Sequence, residues 1–498
     1  MSIWLDSCKI KKYPTLNSSI NCDICIIGGG ITGITTAYYL TKKGFSVSIL
    51  EQGLFGNNTT GNTTGKITSQ HNLFYDYLYK SFGLEFAKDY FNANKQALSN
   101  IKEIIDFNNI NCDFEIKDSY VFTQDESNIQ KFKDEFKALK HINPHAALEK
   151  NIDLPLPIKT AIKFPNQAQF NSIKYINGLL KVLEERNVNL YENSKALDIE
   201  KNNDSYSIIT QNGVVNSKYV VSACSFPFIN FPGFHFIKMY QSTAYAIAVE
   251  TNMPIIDNMY INFEAPTISY RTALYNGKKI AIIAGFDHKT GIIENSQDAY
   301  LFLEHVAKNI YPDCNVISKW ATEDCVSVDK LPYIGEFSTF APHIYLATGF
   351  KKWGMTTSNI AANIICDDIC GIQNKYAYLF NSKRFHPIKN FGETKNNIKE
   401  ATEGLVFKKF VIKDFDIDKI PINSSKVFKH DGSIIGIYKD DENNIHAVKP
   451  VCSHLGCLLS WNNTLKTWDC PCHGSRYDID GNCVYGPSNN SLKKLDFE

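Results

Sequence analysis

Two short stretches near the end of the chain place cysteine and histidine close together: Cys452-Ser453-His454-Leu455-Gly456-Cys457 and Cys470-Pro471-Cys472-His473-Gly474-Ser475. Thiolate and imidazole are the side chains that bind soft and borderline transition metals. One of each from two loops fits a [2Fe–2S] cluster in which two cysteines hold one iron and two histidines the other. Such a cluster moves electrons singly. The same four groups also fit a tetrahedral zinc site.

The two stretches resemble the cluster boxes of Rieske proteins, those of cytochrome bc complexes more than those of Rieske oxygenases. The resemblance implies a [2Fe–2S] cluster with Cys452 and Cys470 on the buried iron and His454 and His473 on the solvent-facing iron. It implies a disulfide between Cys457 and Cys472 that joins the loops. It also gives Ser475 and Tyr477 the hydroxyls that bond to cluster and ligand sulfurs, which stabilises the reduced cluster and raises its potential. Gly486-Pro487 matches the loop that shields the third side. Zinc would leave Cys457, Cys472, Ser475 and Tyr477 unexplained at these offsets.

The other end of the chain carries a second constellation. Asp23 to Ile27 reads as a strand, Gly28, Gly30 and Gly33 as a tight turn into a helix, and Val47 to Leu50 as a second strand that ends on Glu51. This is the G-x-G-x-x-G fingerprint in its βαβ setting, with the acid at the expected distance. Glycines there let a pyrophosphate approach the backbone at the helix N-terminus. Glu51 would bind ribose hydroxyls and repel a 2′-phosphate, which disfavours NADP. The fingerprint alone leaves FAD and NAD open.

Three later segments resemble the family of D-amino-acid oxidase, glycine oxidase and sarcosine oxidase. They are Thr59 to Lys66, Tyr219 to Cys224, and Asp329 to Gly335 followed by Ala347 to Met355. The resemblance implies FAD, with Thr64, Gly65 and Lys66 along the pyrophosphate and flavin and Ala223 at a strand end beside the cofactor. It places Gly349, Phe350, Gly354 and Met355 at the flavin ring, where a helix start would favour the anionic reduced form. It further implies a substrate clamp of an arginine and a tyrosine. Arg271, with Tyr270 beside it, is the candidate, since arginine grips a carboxylate through two bonds. His288 is read as an acid/base or as a loop histidine. His71 is read as a residue able to approach the flavin; Lys66 and Lys351 sit in FAD motifs, where a lysine could stand near flavin N5 or hold the FAD phosphates, and a solvated lysine is the default reading of Lys351 and Lys352.

The elements that must position these groups follow from length and pattern. At 498 residues and 44% hydrophobic content the chain can bury more than one core. Its formal net charge of zero implies no nucleic-acid affinity. No apolar run reaches bilayer-spanning length, and no signal peptide is evident. Of 14 cysteines only the last five form a metal-like pattern, which suits a reducing, cytoplasmic setting. Cys366 and Cys370 read as one face of a helix. Arginine is confined to Arg186, Arg271, Arg384 and Arg476.

The expected fold class is α/β. A discontinuous Rossmann-like FAD-binding domain of the glutathione-reductase type takes residues 1–75, 150–235 and 323–380, and an α+β substrate domain takes 76–149 and 236–322. A linker spans 381–405, and an all-β Rieske domain spans 406–498. Leu84 to Phe107 reads as a long amphipathic helix, and Tyr245–Val249, Ile280–Gly285, Ile434–Tyr438 and His446–Lys449 read as strands.

Together these readings point to an FAD-dependent dehydrogenase. It would oxidise a C–N bond of an amine or amino acid and pass electrons through the cluster to an external carrier, by way of an exposed histidine edge. A fused cluster favours a dehydrogenase over an oxidase, which can use oxygen directly. Two alternatives stand beside it. In one, a redox partner feeds the cluster and the flavin reduces a substrate. In the other, the chain is an electron-transfer module or redox sensor without substrate chemistry.

Overall fold

The computed structural model describes residues 1–229, 232–233, 235–292, 297–384, 415–430 and 432–495. The first sheet has eight strands, six of them in the spatial order Tyr333–Ser338, Ala341–Thr348, Val214–Ser222, Ser19–Ile27, Val47–Leu50, Asn189–Tyr191. The central pairs are parallel, so Ile24–Ile27 and Val220–Ser222 are buried on both faces and read as apolar runs. Helices Ile31–Lys42 and Gly354–Ile369 pack against each other beside this sheet, with Thr32 and Ser358 hydroxyls 2.9 Å apart.

The second sheet has nine strands, eight of them in the order Asn315–Ser327, Met239–Glu250, Lys278–Lys289, Ile268–Tyr275, Met259–Asn262, Glu115–Thr123, Thr160–Gln169, Lys66–Ile67. All its pairs are antiparallel except Met259–Asn262 with Glu115–Thr123. The helix Leu84–Phe107 has the expected bounds, and it buries Ala87, Tyr90, Phe91, Asn94, Ala97, Ile101, Ile104 and Ile105 along one stripe. The expected strands at 245–249 and 280–285 lie inside longer ones.

Not every strand in the ranges 1–75 and 150–235, expected for the FAD-binding domain, joins the first sheet. Strands Thr160–Gln169 and Lys66–Ile67 belong to the second sheet. A half-buried strand has the same local pattern in either sheet, and only long-range pairing decides which one it joins. Residues 381–384 do not behave as a linker. Arg384 grips Asp329 through two bonds (2.7 and 2.9 Å), and its guanidinium stacks 3.8 Å from the Tyr333 ring centre. The rest of the expected linker, 385–405, lies outside the described residues.

The C-terminal module is built of small antiparallel sheets. Three strands span Ser424–His430, Ser433–Lys439 and Ile445–Val448, and four span Ser460–Asn462, Thr467–Asp469, Arg476–Tyr477 and Cys483–Tyr485. Trp461, Trp468, Tyr438 and Tyr477 fill its core. The two Cys/His stretches are the loops that leave Ile445–Val448 and Thr467–Asp469. Among the described residues no helix is long and apolar enough to cross a membrane.

Candidate functional site

A cavity runs along the C-terminal ends of Ser19–Ile27, Val47–Leu50 and Val214–Ser222 and ends at the start of helix Gly354–Ile369. Its wall includes Gly28, Gly30, Glu51, Ala223, Gly349, Phe350, Gly354 and Met355. The fingerprint turn leaves no room for side chains. Gly28 has φ +114°, and a Cβ on Gly33 would stand 2.0 Å from the Gly28 carbonyl oxygen. Glu51 is buried and accepts the N–H of Gly29 at 2.7 Å and of Gly53 at 2.9 Å, so the acid also holds the turn in shape. Burial raises its carboxyl above the usual range, against those N–H groups. A long crevice with a glycine cradle at one helix start and a second helix start at its far end fits FAD.

The Thr64–Lys66 segment takes a different place from the expected one. Thr59, Thr60 and Thr63 line the cavity in its stead. Arg271 donates to the carbonyls of Thr64 (2.5 Å), Phe170 (3.2 Å) and Thr272 (2.8 Å). Lys66 is buried and donates to the Tyr260 carbonyl at 2.9 Å. Burial holds its amine well below its ordinary value. Gly65 turns at φ +69°, where a Cβ would meet Phe170 O at 2.7 Å.

The structure places the catalytic candidates as follows. The Arg271 side chain is buried, its guanidinium lies 5.1 Å from a Trp4 ring, and its donors are committed to backbone. It braces the loop and does not open onto the cavity. Tyr270 points to the opposite face of its strand, into the core with Phe122 and Ile283. His288 bonds Tyr245 through Nε2 and the Lys289 carbonyl through Nδ1, each at 2.9 Å, and lies off the cavity wall. His71 stacks behind Trp353 at 4.5 Å and is bonded to Tyr90 and Thr68.

Asp324, which the sequence reading passed over, and Lys352, read there as a solvated lysine, stand on the cavity wall instead. Lys352 is 3.3 Å from Asp287. Burial pushes the Asp324 carboxyl up to about 6, Lys352 pulls it down, and Glu323 and Asp287 push it up again. Lys351 and Lys352 both have positive φ (48° and 72°), a conformation that side chains rarely adopt and that recurs at functional sites.

The cluster loops bring the four expected ligands together. His454 and His473 rings are 5.0 Å apart, and the buried Nδ1 atom of His473 has no hydrogen-bond partner among the described residues. Burial lowers them to about 4 and about 3, so both are neutral imidazoles, the form that binds metal. The neighbouring Cys470 thiol holds Cys452 down to about 6 against burial, and the Tyr477 hydroxyl 3.3 Å away adds to this. Cys457 and Cys472 lie within 4.8 Å of Cys470 but are joined to each other by a disulfide, which removes them from the ligand set. Two neutral imidazoles, that of His473 with an orphaned buried Nδ1, beside two thiols outside the disulfide fit a Rieske [2Fe–2S] cluster.

The histidine edge was expected to face solvent. It faces the first sheet's domain instead. Phe226 lies 6.0 Å from the His473 ring, and Phe236 lies 5.8 Å from His473 and 6.2 Å from His454. Arg476 pairs with Glu323 across the boundary, and Lys195 donates to the Ser488 and Asn489 carbonyls at 3.3 Å. Tyr485, Gly486, Pro487 and Asn489 of the C-terminal module line the cavity. The sequence carried one signal of this contact, the closely spaced aromatics Phe226 and Phe236.

Fold and site together define an FAD-dependent oxidoreductase joined to a Rieske module. The FAD-dependent oxidoreductase family (DAO) matches residues 23–367 and the Rieske [2Fe-2S] domain matches residues 411–496, and the chain belongs to this oxidoreductase family. The Rieske 2Fe-2S iron-sulfur protein YhfW of Bacillus subtilis is 34% identical over 495 residues, 99% of this chain and 97% of that one. Gamma-glutamylputrescine oxidoreductase of Escherichia coli is 33% identical over 106 residues, 21% of this chain and 25% of that one. Glycine oxidase from Geobacillus kaustophilus shares the fold at TM-score 0.63 and 16% identity, over 74% of this chain and 99% of that one.

Proposed function

We propose that the chain is a dehydrogenase for the C–N bond of a small amine or amino acid, and that its electrons leave through its own Rieske cluster to an external carrier. FAD supplies hydride acceptance and the cluster one-electron transfer. One observation carries this reading. The 485–489 loop lines the FAD cavity, and its Ser488 bonds Ser475 (3.0 Å) and Ser453 (2.5 Å) between the cluster ligands. The two cofactor sites are therefore neighbours within one chain. The name of the Escherichia coli relative, which speaks of a putrescine derivative, supports an amine.

The chain's own residues have separable tasks. Gly28, Gly30 and Gly33 admit the pyrophosphate, and Gly349 to Met355 hold the ring end. Lys352, on the cavity wall, would take a substrate carboxylate. The Asp324 carboxylate, on the same wall, would take a proton from the substrate ammonium, which leaves the nitrogen neutral as hydride abstraction requires. Twelve unpaired cysteines fit a reducing, cytoplasmic setting.

The test is an anaerobic titration with amines, N-methyl amines and amino acids. Flavin absorbance and the paramagnetic signal of the reduced cluster are followed in one sample. We expect one compound to bleach the flavin and the cluster signal to rise after it. If none does, and a reduced ferredoxin or an NADH-linked reductase fills the cluster first, the current runs the other way and the substrate class is wrong.

A further inference from the structure

One hydroxyl in the cavity wall is left without a partner. Tyr485 is nine-tenths buried; the Ser225 and Thr59 hydroxyls stand near its phenol oxygen, but neither meets it at hydrogen-bond geometry. The side chain comes from the Rieske module, yet it stands on the wall of the FAD cavity beside Thr59 and Ser225. A buried donor left unsatisfied costs the full desolvation of that group. Beyond those two hydroxyls, the source of a well-aligned acceptor is what fills the cavity. FAD, with its phosphate, ribityl and ring oxygens, is rich in acceptors.

The same loop is anchored on both sides. Ser488 ties it to the cluster loops, and Asn489 donates to the Leu197 carbonyl at 3.2 Å on the FAD-binding side. The Glu323–Arg476 ion pair closes the boundary nearby, and Glu323 is not part of the cavity wall. A ligand that fills the cavity then touches both modules at once.

We propose that the Rieske module completes the FAD site. The Tyr485 hydroxyl donates to an oxygen of bound FAD, so FAD affinity and docking of the Rieske module are linked. Linkage is reciprocal: bound FAD holds the module in place, and docking tightens FAD. This rests on FAD as the occupant of the cavity and is independent of the substrate proposed above.

The full chain, with its cluster intact, is stripped of flavin and titrated with FAD, and Kd is read from flavin fluorescence. Tyr485→Phe keeps the ring and removes the donor. It should raise Kd about 3- to 10-fold, the value of one hydrogen bond. Glu323→Gln touches no cavity wall but breaks the boundary ion pair, and it should also raise Kd, by about 2-fold or more. In the wild type, amide hydrogen exchange at 485–489 should slow when FAD is added. Kd unchanged in both variants overturns the proposal. Loss in Tyr485→Phe alone, with exchange at 485–489 indifferent to FAD, overturns the linkage. A wild-type chain that takes up no FAD overturns the cofactor assignment itself, and this inference with it.

Discussion

At the scale of single residues, Asp324 gives the sharpest expectation. Burial lifts its carboxyl to about 6, above the value of about 4 for an exposed aspartate. The folded chain thus keeps a proton that the unfolded chain has released between those two values. Its contribution to stability falls as pH rises through that window and is gone above about 6. An anionic cofactor in the cavity favours the protonated form in the same sense. FAD should therefore bind more tightly at pH 5 than at pH 7.5, by about 3-fold or more. In Asp324→Asn that slope should vanish, and a slope that survives places the titrating group elsewhere. No sequence signal marks Asp324, since one aspartate among 52 acidic residues becomes special only when folding buries it beside a cavity. The cluster ligands were legible for the opposite reason: metal chemistry demands two cysteines and two histidines at short fixed spacing, whatever the surroundings.

At the scale of elements, Arg271, the residue expected as a substrate clamp, is the instructive case. Arg271 was singled out because arginine is rare here and its fork suits carboxylates. The fork serves three backbone carbonyls instead and pins the Thr64 turn to the second sheet. Lysine cannot copy three divergent bonds. Arg271→Lys should weaken FAD binding and cost about 1.5–3 kcal/mol of stability, the value of lost bonds to a charged group. Both losses are read by FAD titration and denaturant unfolding. If KM for substrate rises steeply while FAD affinity and stability hold, the clamp reading returns. Sequence periodicity located the Leu84–Phe107 helix because one apolar stripe runs its whole length. It misplaced the Thr160–Gln169 strand because alternation names a strand without naming its sheet.

At the scale of the molecule, both cofactor sites face one boundary. The sequence showed two modules and implied an exposed cluster, since nothing local reveals which face of a small β-domain another domain will cover. In the folded chain His454 and His473 look onto Phe226 and Phe236, and Gly474 approaches so closely that a Cβ there would lie 2.2 Å from Cγ of Gln241. In the proposed function, contacts this tight would let electrons pass between flavin and cluster without a search by diffusion. The expectation is kinetic. After a rapid anaerobic mix with substrate, the cluster signal should rise with a first-order rate that does not change when the protein is diluted tenfold. The boundary ion pair is largely shielded from water, so added salt should alter that rate little. Phe236→Ala removes the ring that both histidines contact and should slow the cluster phase while flavin bleaching keeps its rate. A cluster rate proportional to protein concentration would mean that electrons cross between molecules. The docked arrangement would then serve to hold FAD and not to conduct.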